Sequence, residues 1–222
     1  MKQSIIFSLA ILLVAVVACK EERNVPAPTR TDIIAASDLP TILFLGDSLT
    51  AGRGLAPSEA APALIQEKIK TAGMQYNVVN GGRSGDTTAG GLARLGWYLR
   101  PELKVTKVVI GLGSNDAMRG LPVEAMEKNL RALVAKIRDF DPKIQIFLYQ
   151  MHIFPSMGRD YAGNYEKLFG RVARAEKITL LPFPLLDVGG RPELNQEDGI
   201  HPTAEGTVIM ADAIWKSLKG HL

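Results

Sequence analysis

The stretch TILFLGDSLTAG, residues 41–52, sets the interpretation of the whole chain. An unbroken apolar run ends at Gly46, and Asp47 and Ser48 follow at once. A short apolar run that ends in a turn residue is typical of a strand buried inside a sheet. A hydroxyl placed directly after such a strand has two interpretations: Ser48 caps a helix, or Ser48 is a nucleophile.

Beyond this stretch, strand-like and helix-like segments alternate along the chain. Apolar and β-branched runs predict strands at 41–46, 76–82, 105–113, 143–150 and 178–183. Helical spacing predicts helices at 58–73, 86–100, 123–140, 161–176 and 203–220, the second of them capped by Asp86 or Thr87. The alternation predicts an α/β fold, a three-layer α/β/α sandwich around a five-stranded, mainly parallel sheet.

Glycine-containing polar loops follow the first three predicted strands, where ligands of such folds bind. Their sequences are GDSLTAG, NGGRSGDT and GLGSNDAMRG. None of them contains the glycine pattern of a dinucleotide site or of a phosphate-binding loop. The chain also lacks paired cysteines and H-E-x-x-H, so we expect neither a metal nor another cofactor. The net charge of +3 is small and dispersed, which argues against a nucleic-acid partner.

The N-terminus has the layout of a secretory signal. A basic start at Lys2 precedes an apolar run that is too short to cross a membrane comfortably and that ends in small residues before Cys19. This ending resembles the bacterial lipobox, which implies lipidation of Cys19; the alternative is a lone cysteine in an uncleaved anchor. We therefore expect a signal peptide at 1–18, a lipid-anchored tether at 19–40 and one domain at 41–222. The expected location is the bacterial cell envelope, with the domain facing the periplasm or the exterior.

A serine nucleophile requires a base, and the chain offers His152, His201 and His221. His221 adjoins the C-terminus, and His152 follows the fourth predicted strand. His201 lies in DGIHP, three residues after Asp198, so that one tight turn lets the carboxylate reach the imidazole. A solvated turn before the last helix explains the same spacing equally well.

Four segments in this order, GDSLT, SGDT, GSND and DGIHP, resemble the four blocks of the SGNH hydrolases, or GDSL esterases and lipases. The similarity runs from Thr41 onward. It is greatest to the bacterial branch of arylesterases and multifunctional thioesterase/lysophospholipases. The resemblance implies the flavodoxin-like SGNH fold. The sequence differs from many members of that branch at Ser114, where they carry glycine.

The resemblance also implies a role for each matching residue. Ser48 is the implied nucleophile, His201 the base and Asp198 its orienting partner. The oxyanion donors are the backbone N–H groups of Ser48 and Gly85 and the side-chain amide of Asn115. Asp47 is expected to be structural, bonded to loop amides.

Other loop residues are expected to brace or border the site. Asp116 and Arg119 should brace the third loop. Arg83, Ser84, Ile153, Phe154 and Met157 are candidates for substrate binding, although the apolar ones, with Met151, could equally be core and turn residues.

The implied activity is hydrolysis of carboxylic esters or thioesters through an acyl-enzyme on Ser48. Two alternatives stay open at this point. One is a carbohydrate O-acetylesterase of the cell envelope, and the other is a non-catalytic binding module on the same fold. The sequence does not decide the oligomeric state.

Overall fold

The computed structural model describes residues 38–153 and 157–222, and its elements alternate as the sequence predicts. The strands are β1 (Thr41–Gly46), β2 (Asn77–Gly82), β3 (Val105–Gly111), β4 (Gln145–Tyr149) and β5 (Thr179–Leu181). The helices are α1 (Ser48–Ala51), α2 (Ala61–Thr71), α3 (Thr88–Arg94), α4 (Ser114–Met118), α5 (Val123–Phe140), α6 (Arg159–Glu176) and α7 (Ala204–Leu218).

The five strands form one sheet in the order β2-β1-β3-β4-β5, and every pairing is parallel. All residues of β1 are buried, as expected for a central strand covered on both faces. Two groups of helices flank the sheet: α2 packs against α7, whereas α5 packs against α3 and α6. The predicted fold class, an α/β sandwich around a five-stranded parallel sheet, is confirmed.

The observed bounds of strands and helices agree with the predicted bounds where the hydrophobic periodicity is strong. The predicted limits of β1 and α5 are those observed. The helix predicted at 86–100 is shorter, since α3 ends at Arg94 and a 3-10 turn continues to Trp97. Glycines at 90, 91 and 96 weaken the helix there. The helix predicted from 58 begins only at Ala61, because Pro62 is tolerated in a first turn but not farther inside.

Three glycines align across the carboxyl edge of the sheet. Gly46 of β1 is in register with Gly82 of β2 and with Gly111 of β3. A Cβ atom on Gly82 would lie 2.2 Å from the backbone nitrogen of Ala51, so only glycine lets α1 pack this closely on the end of β2. The edge is therefore shaped to receive the turn that carries Ser48.

The N-terminal predictions fall mostly outside the described residues. The signal peptide at 1–18, Cys19 and the tether up to residue 37 belong to that part of the chain. Within the predicted tether, the Pro40 carbonyl accepts a hydrogen bond from the Asn77 N–H, and Asp38 pairs with Lys104. Among the described residues, no helix is long and apolar enough to cross a membrane.

Candidate active site

Ser48 lies at the tip of the turn that leaves β1. It is the first residue of α1, and it is buried. The cap of α1 is Asp47, whose Oδ1 accepts a hydrogen bond from the Leu49 N–H at 3.0 Å. The interpretation of Ser48 as a helix cap is therefore wrong: Asp47 satisfies the orphan N–H group, which leaves the serine hydroxyl free for another partner.

That partner is His201. Its Nε2 lies 2.8 Å from the Ser48 Oγ, across 153 residues of sequence. The other ring nitrogen, Nδ1, lies 2.6 Å from the Asp198 Oδ2. Serine, histidine and aspartate thus form one continuous hydrogen-bonded chain, the arrangement that activates a hydroxyl for nucleophilic attack. The alternative in which Asp198 and His201 form only a solvated turn does not fit, since His201 is buried.

A tight turn holds the Asp198 carboxylate toward the imidazole. Its Oδ1 accepts hydrogen bonds from the backbone N–H groups of Ile200 and His201, at 2.9 and 3.0 Å. The backbone N–H of His201, then its ring, then the N–H of Ile200 hold the pKa of Asp198 well below its usual range. The carboxylate therefore stays ionised and is able to stabilise a positively charged imidazole.

Gln196 locks this turn to the rest of the domain. Its side-chain amide donates to the carbonyls of Pro202 and Arg53, both at 2.8 Å, and its backbone N–H donates to the His201 carbonyl at 2.7 Å. Arg53 follows α1, so Gln196 joins the histidine turn to the serine turn. Gln196 has no sequence signal, because no local pattern shows which distant carbonyl a glutamine reaches.

The other two histidines lie elsewhere. His152 is exposed; its Nδ1 lies 3.4 Å from the Glu166 Oε1, and its ring packs edge-on against Phe183. His221 is exposed near the C-terminus, with its ring 5.3 Å from that of Phe147. Of the three candidate bases, only His201 is hydrogen-bonded to Ser48.

Two of the predicted oxyanion donors, Gly85 and Asn115, lie in the segments that follow β2 and β3. Gly85 has a φ of 78°, and its carbonyl accepts a hydrogen bond from Arg119 at 2.7 Å. Within the described residues the Gly85 N–H has no acceptor. The Asn115 amide is buried; it donates to the Asp86 carbonyl at 2.9 Å and lies 3.4 Å from the Asp47 Oδ2. As predicted, Asp47 is bonded to loop amides.

Buried carboxyl groups form hydrogen bonds and an ion pair beside these loops. Asp116 accepts hydrogen bonds from the N–H and the hydroxyl of Thr88, at 2.8 and 2.6 Å, and so braces the third loop against α3. Burial raises the pKa of Asp116, and it raises the pKa of Asp47 to about 7. Asp86 is paired with the buried Arg94 and is not a helix cap, because Thr87 caps α3. No sequence pattern predicted the pairing of Asp86 with Arg94.

The candidate substrate-binding residues differ in their surroundings. Arg83 and Ser84 are exposed on the loop after β2, whereas Ile153 and Met157 are half-buried. Phe154 lies outside the described residues. Met151 is buried and lines a small apolar cavity beside Leu49. Across residues 38–153 and 157–222, no group of three or more His, Cys, Asp or Glu side chains could hold a metal.

Comparison with known proteins identifies relatives of this chain. The model of the GDSL-like Lipase/Acylhydrolase family matches residues 44–209. Esterase TesA of Pseudomonas aeruginosa is 39% identical, over 81% of this chain and 88% of its own length. An arylesterase of Vibrio mimicus is 33% identical, over 82% of this chain and 89% of its own.

Solved structures give the same result. The psychrotrophic esterase EstA from Pseudoalteromonas sp., in a crystal structure inhibited by monoethylphosphonate, superposes with a TM-score of 0.77. It is 33% identical, and the match covers 82% of this chain and 97% of EstA. The four ordered sequence blocks, the parallel sheet and these matches lead to one conclusion: the chain belongs to the GDSL-like lipase/acylhydrolase, or SGNH hydrolase, family.

Proposed function

We propose that this protein is a serine esterase that hydrolyses carboxylic esters or thioesters through an acyl-enzyme on Ser48. The observation that carries the proposal is the hydrogen-bonded chain from Ser48 through His201 to Asp198. Such a chain requires a hydroxyl, a base and an orienting carboxylate in one line, and a binding module has no need of it. Family membership and the esterase names of the relatives support the same activity.

The first half of the reaction acylates the enzyme. The Ser48 Oγ attacks the carbonyl carbon of the ester, and its proton passes to the Nε2 of His201. Asp198 stabilises the imidazolium that results. Collapse of the tetrahedral intermediate breaks the bond to the leaving alcohol or thiol, which takes the proton from His201. The second half repeats these steps with water, which releases the acid and restores the Ser48 hydroxyl.

The negative oxygen of the intermediate would be held by the Ser48 and Gly85 N–H groups and by the Asn115 amide. The N–H of Ser48 belongs to the first turn of α1, where it has no helical acceptor, and Gly85 presents a backbone without a side chain. Asn115 donates without adding a charge that would compete for the proton. Arg83, Ser84, Ile153 and Met157 are proposed to border the substrate, together with Phe154.

The test is hydrolysis of a p-nitrophenyl ester series, acetate through palmitate, by the full chain. Ser48→Ala should lower kcat at least about 10⁴-fold on every ester that the protein cleaves. Ser217→Ala is the matched control, because this hydroxyl only donates to the Ile214 carbonyl on α7. Equal activity in the wild type and Ser48→Ala would overturn the proposal. Cleavage restricted to acetate would indicate a small acyl pocket.

We also propose that Cys19 is lipidated and anchors the enzyme in the bacterial cell envelope. The short apolar segment before Cys19 and the small residues beside it support this assignment. Membrane fractionation of cells that produce the wild type and Cys19→Ala tests it. Wild-type protein should sediment with membranes and carry acyl chains on Cys19 by mass spectrometry, and an unmodified Cys19 in the membrane-bound wild type would contradict lipidation.

A further inference from the structure

Arg94 is an arginine with almost no contact with solvent. It ends α3, and 2% of its side chain is exposed. Its guanidinium donates in three directions: Nε to the Asp86 Oδ2 at 2.5 Å, Nη2 to the Gly46 carbonyl at 2.8 Å, and Nη1 to the Tyr98 hydroxyl at 3.3 Å. Burial of a cation costs free energy unless the cation is paired and hydrogen-bonded. Loss of any of these three acceptors should therefore destabilise the buried guanidinium.

Two of these contacts lead directly to the groups proposed for catalysis. Gly46 is the last residue of β1, and Asp47 and Ser48 follow it. Asp86 directly follows Gly85, and the Asp86 carbonyl accepts the hydrogen bond from the Asn115 amide. Arg94 therefore bonds on one side to the strand end that carries the nucleophile, and on the other side to the residue that connects the two loop donors.

We propose that Arg94 and Asp86 are positioning residues that fix the separation between the Ser48 turn and the oxyanion donors Gly85 and Asn115. The inference rests on the esterase activity proposed above and names residues on which the chemical step depends. Neither side chain touches the substrate. Their effect passes through the Gly46 carbonyl on one side and the Asp86 backbone on the other.

The three acceptors around Arg94 require a planar guanidinium, whose N–H groups point in several fixed directions. A lysine ammonium would keep the charge, but it is a compact group that cannot reach a carboxylate, a carbonyl and a phenol along three fixed directions. An oxyanion donor is effective only when it lies within hydrogen-bond distance of the oxygen in the transition state. Small displacements of the loops should therefore lower kcat while substrate binding in the ground state, and hence KM, changes little.

A purely structural ion pair is the competing explanation, and the apolar exchange of both partners separates the two. Removal of one partner of a buried pair is strongly destabilising, whereas exchange of both for apolar residues of similar volume is often neutral or stabilising. The double variant Arg94→Met/Asp86→Leu should regain most of the stability lost in Arg94→Met. It does not restore the donor to the Gly46 carbonyl, so its kcat should stay low.

The experiment compares Arg94→Lys, Arg94→Met and the double variant with the wild type in the full chain. Leu133→Ala is the control for stability, because Leu133 is a fully buried residue of α5. Urea unfolding, kcat and KM on one p-nitrophenyl ester, and the Ki of a boronic acid are measured for each protein. A boronic acid adds to the nucleophilic serine and resembles the tetrahedral intermediate, so its Ki reports on the oxyanion donors.

We expect kcat to fall about 10-fold in Arg94→Lys and about 100-fold in Arg94→Met and the double variant, with KM within about threefold of the wild type. The Ki of the boronic acid should rise by the factor that kcat/KM loses, and Leu133→Ala should keep the wild-type kcat. Recovery of kcat together with stability in the double variant would overturn the inference. So would an Arg94→Lys protein with wild-type kcat, which decides the case if Arg94→Met does not fold.

Ser48→Ala in the same assay separates the two proposals. If Ser48→Ala is inactive and the Arg94 variants are fully active, the esterase proposal stands and only the positioning role fails. If Ser48→Ala retains activity, the proposed function itself fails.

Discussion

Two clusters of arginine and carboxylate side chains in this domain differ in their surroundings. At the carboxyl edge of the sheet, Arg94 and Asp86 are 2% and 8% exposed. Between α5 and α6, the side chains of Arg131, Glu127 and Glu176 are 38%, 23% and 21% exposed. Both clusters contain ion pairs with short distances, between 2.5 and 2.9 Å in these examples.

The two clusters differ in what happens when one partner of an ion pair is lost. On the helices, water screens the charges and solvates any partner that is lost, so a pair contributes little. At the sheet edge a lost partner leaves a buried group without solvation, and the neighbouring loops must move to satisfy it. Arginine–carboxylate pairs are thus half-exposed between helices in one region and buried beside the proposed active site in the other.

The largest expected effect is at His201. His201→Ala removes the base that is hydrogen-bonded to Ser48, and we expect kcat to fall at least about 10⁴-fold. His152→Ala is the matched control, since that ring contacts Glu166 and Phe183, and its kcat should stay within about threefold of the wild type. Kinetics on one p-nitrophenyl ester measure both. Comparable losses in the two variants would contradict the assignment of the base.

Asn115 and Asn129 form the next comparison, because both amides donate to residues of the second loop and α3. Asn115→Ala removes a proposed oxyanion donor and should lower kcat about 10²–10³-fold, or roughly 3–4 kcal/mol in the barrier. Asn129 donates to the Thr88 hydroxyl at 3.0 Å from α5. Its alanine variant should lose about 1 kcal/mol of stability and keep its kcat.

Measurements of kcat and of urea unfolding on both asparagine variants distinguish a missing donor from a disrupted loop. If Asn129→Ala loses as much kcat as Asn115→Ala, the effect comes from disruption of the loop and not from a missing donor.

Burial at the sheet edge also predicts a dependence of stability on pH. The Asp47 carboxyl has a pKa of about 7 in the folded state against its ordinary 3.8, because it is buried near Asp86 and Asp116. Between these two values the folded state binds a proton that the unfolded state has lost, so the free energy of unfolding falls as pH rises toward 7. The side chain at this position in Asp47→Asn is neutral at every pH, so this variant does not lose stability in this way.

Urea unfolding at pH 5 and pH 8 measures the difference. Relative to the wild type, Asp47→Asn should be more stable at pH 8 than at pH 5, by roughly 2–3 kcal/mol. An equal difference at the two pH values would show that Asp47 is ionised throughout this range.

The smallest effect is expected on the helices. Glu176→Gln weakens the ion pairs to Arg131 and Arg138, at 2.7 and 3.2 Å, and should cost less than about 1 kcal/mol, with kcat unchanged. Urea unfolding in low and high salt checks this value, because screening should shrink it further. A loss as large as that of Arg94→Met would remove the contrast between the two regions.

The sequence predicted the elements well where hydrophobic periodicity is strong, as in β1 and α5. It was less accurate for α3, where glycines end the helix early. For the site, the four blocks led to Ser48, His201 and Asp198, and the structure brings these three together. The cap interpretation of Ser48 was wrong, because a sequence shows that a cap is needed but not whether Asp47 or Ser48 supplies it.

The residues that support the site were harder to find. Gln196 and Arg94 carry no local signal, since each acts by reaching backbone carbonyls that are distant in sequence. Hydrophobic patterns and motifs report on neighbours along the chain. The geometry of a buried polar network depends on which loops the sheet order brings together.

The sequence alone determined the alternation of strands and helices and the parallel sheet, because local spacing and residue type encode both. The resemblance of its four blocks to a family singled out Ser48, His201 and Asp198 as candidates. Only the tertiary structure decided which histidine reaches Ser48, which residue caps α1 and which charges are buried. The strand register aligns Gly46, Gly82 and Gly111 at the edge where the Ser48 turn begins. Burial then gives one arginine–carboxylate pair a different energy from another.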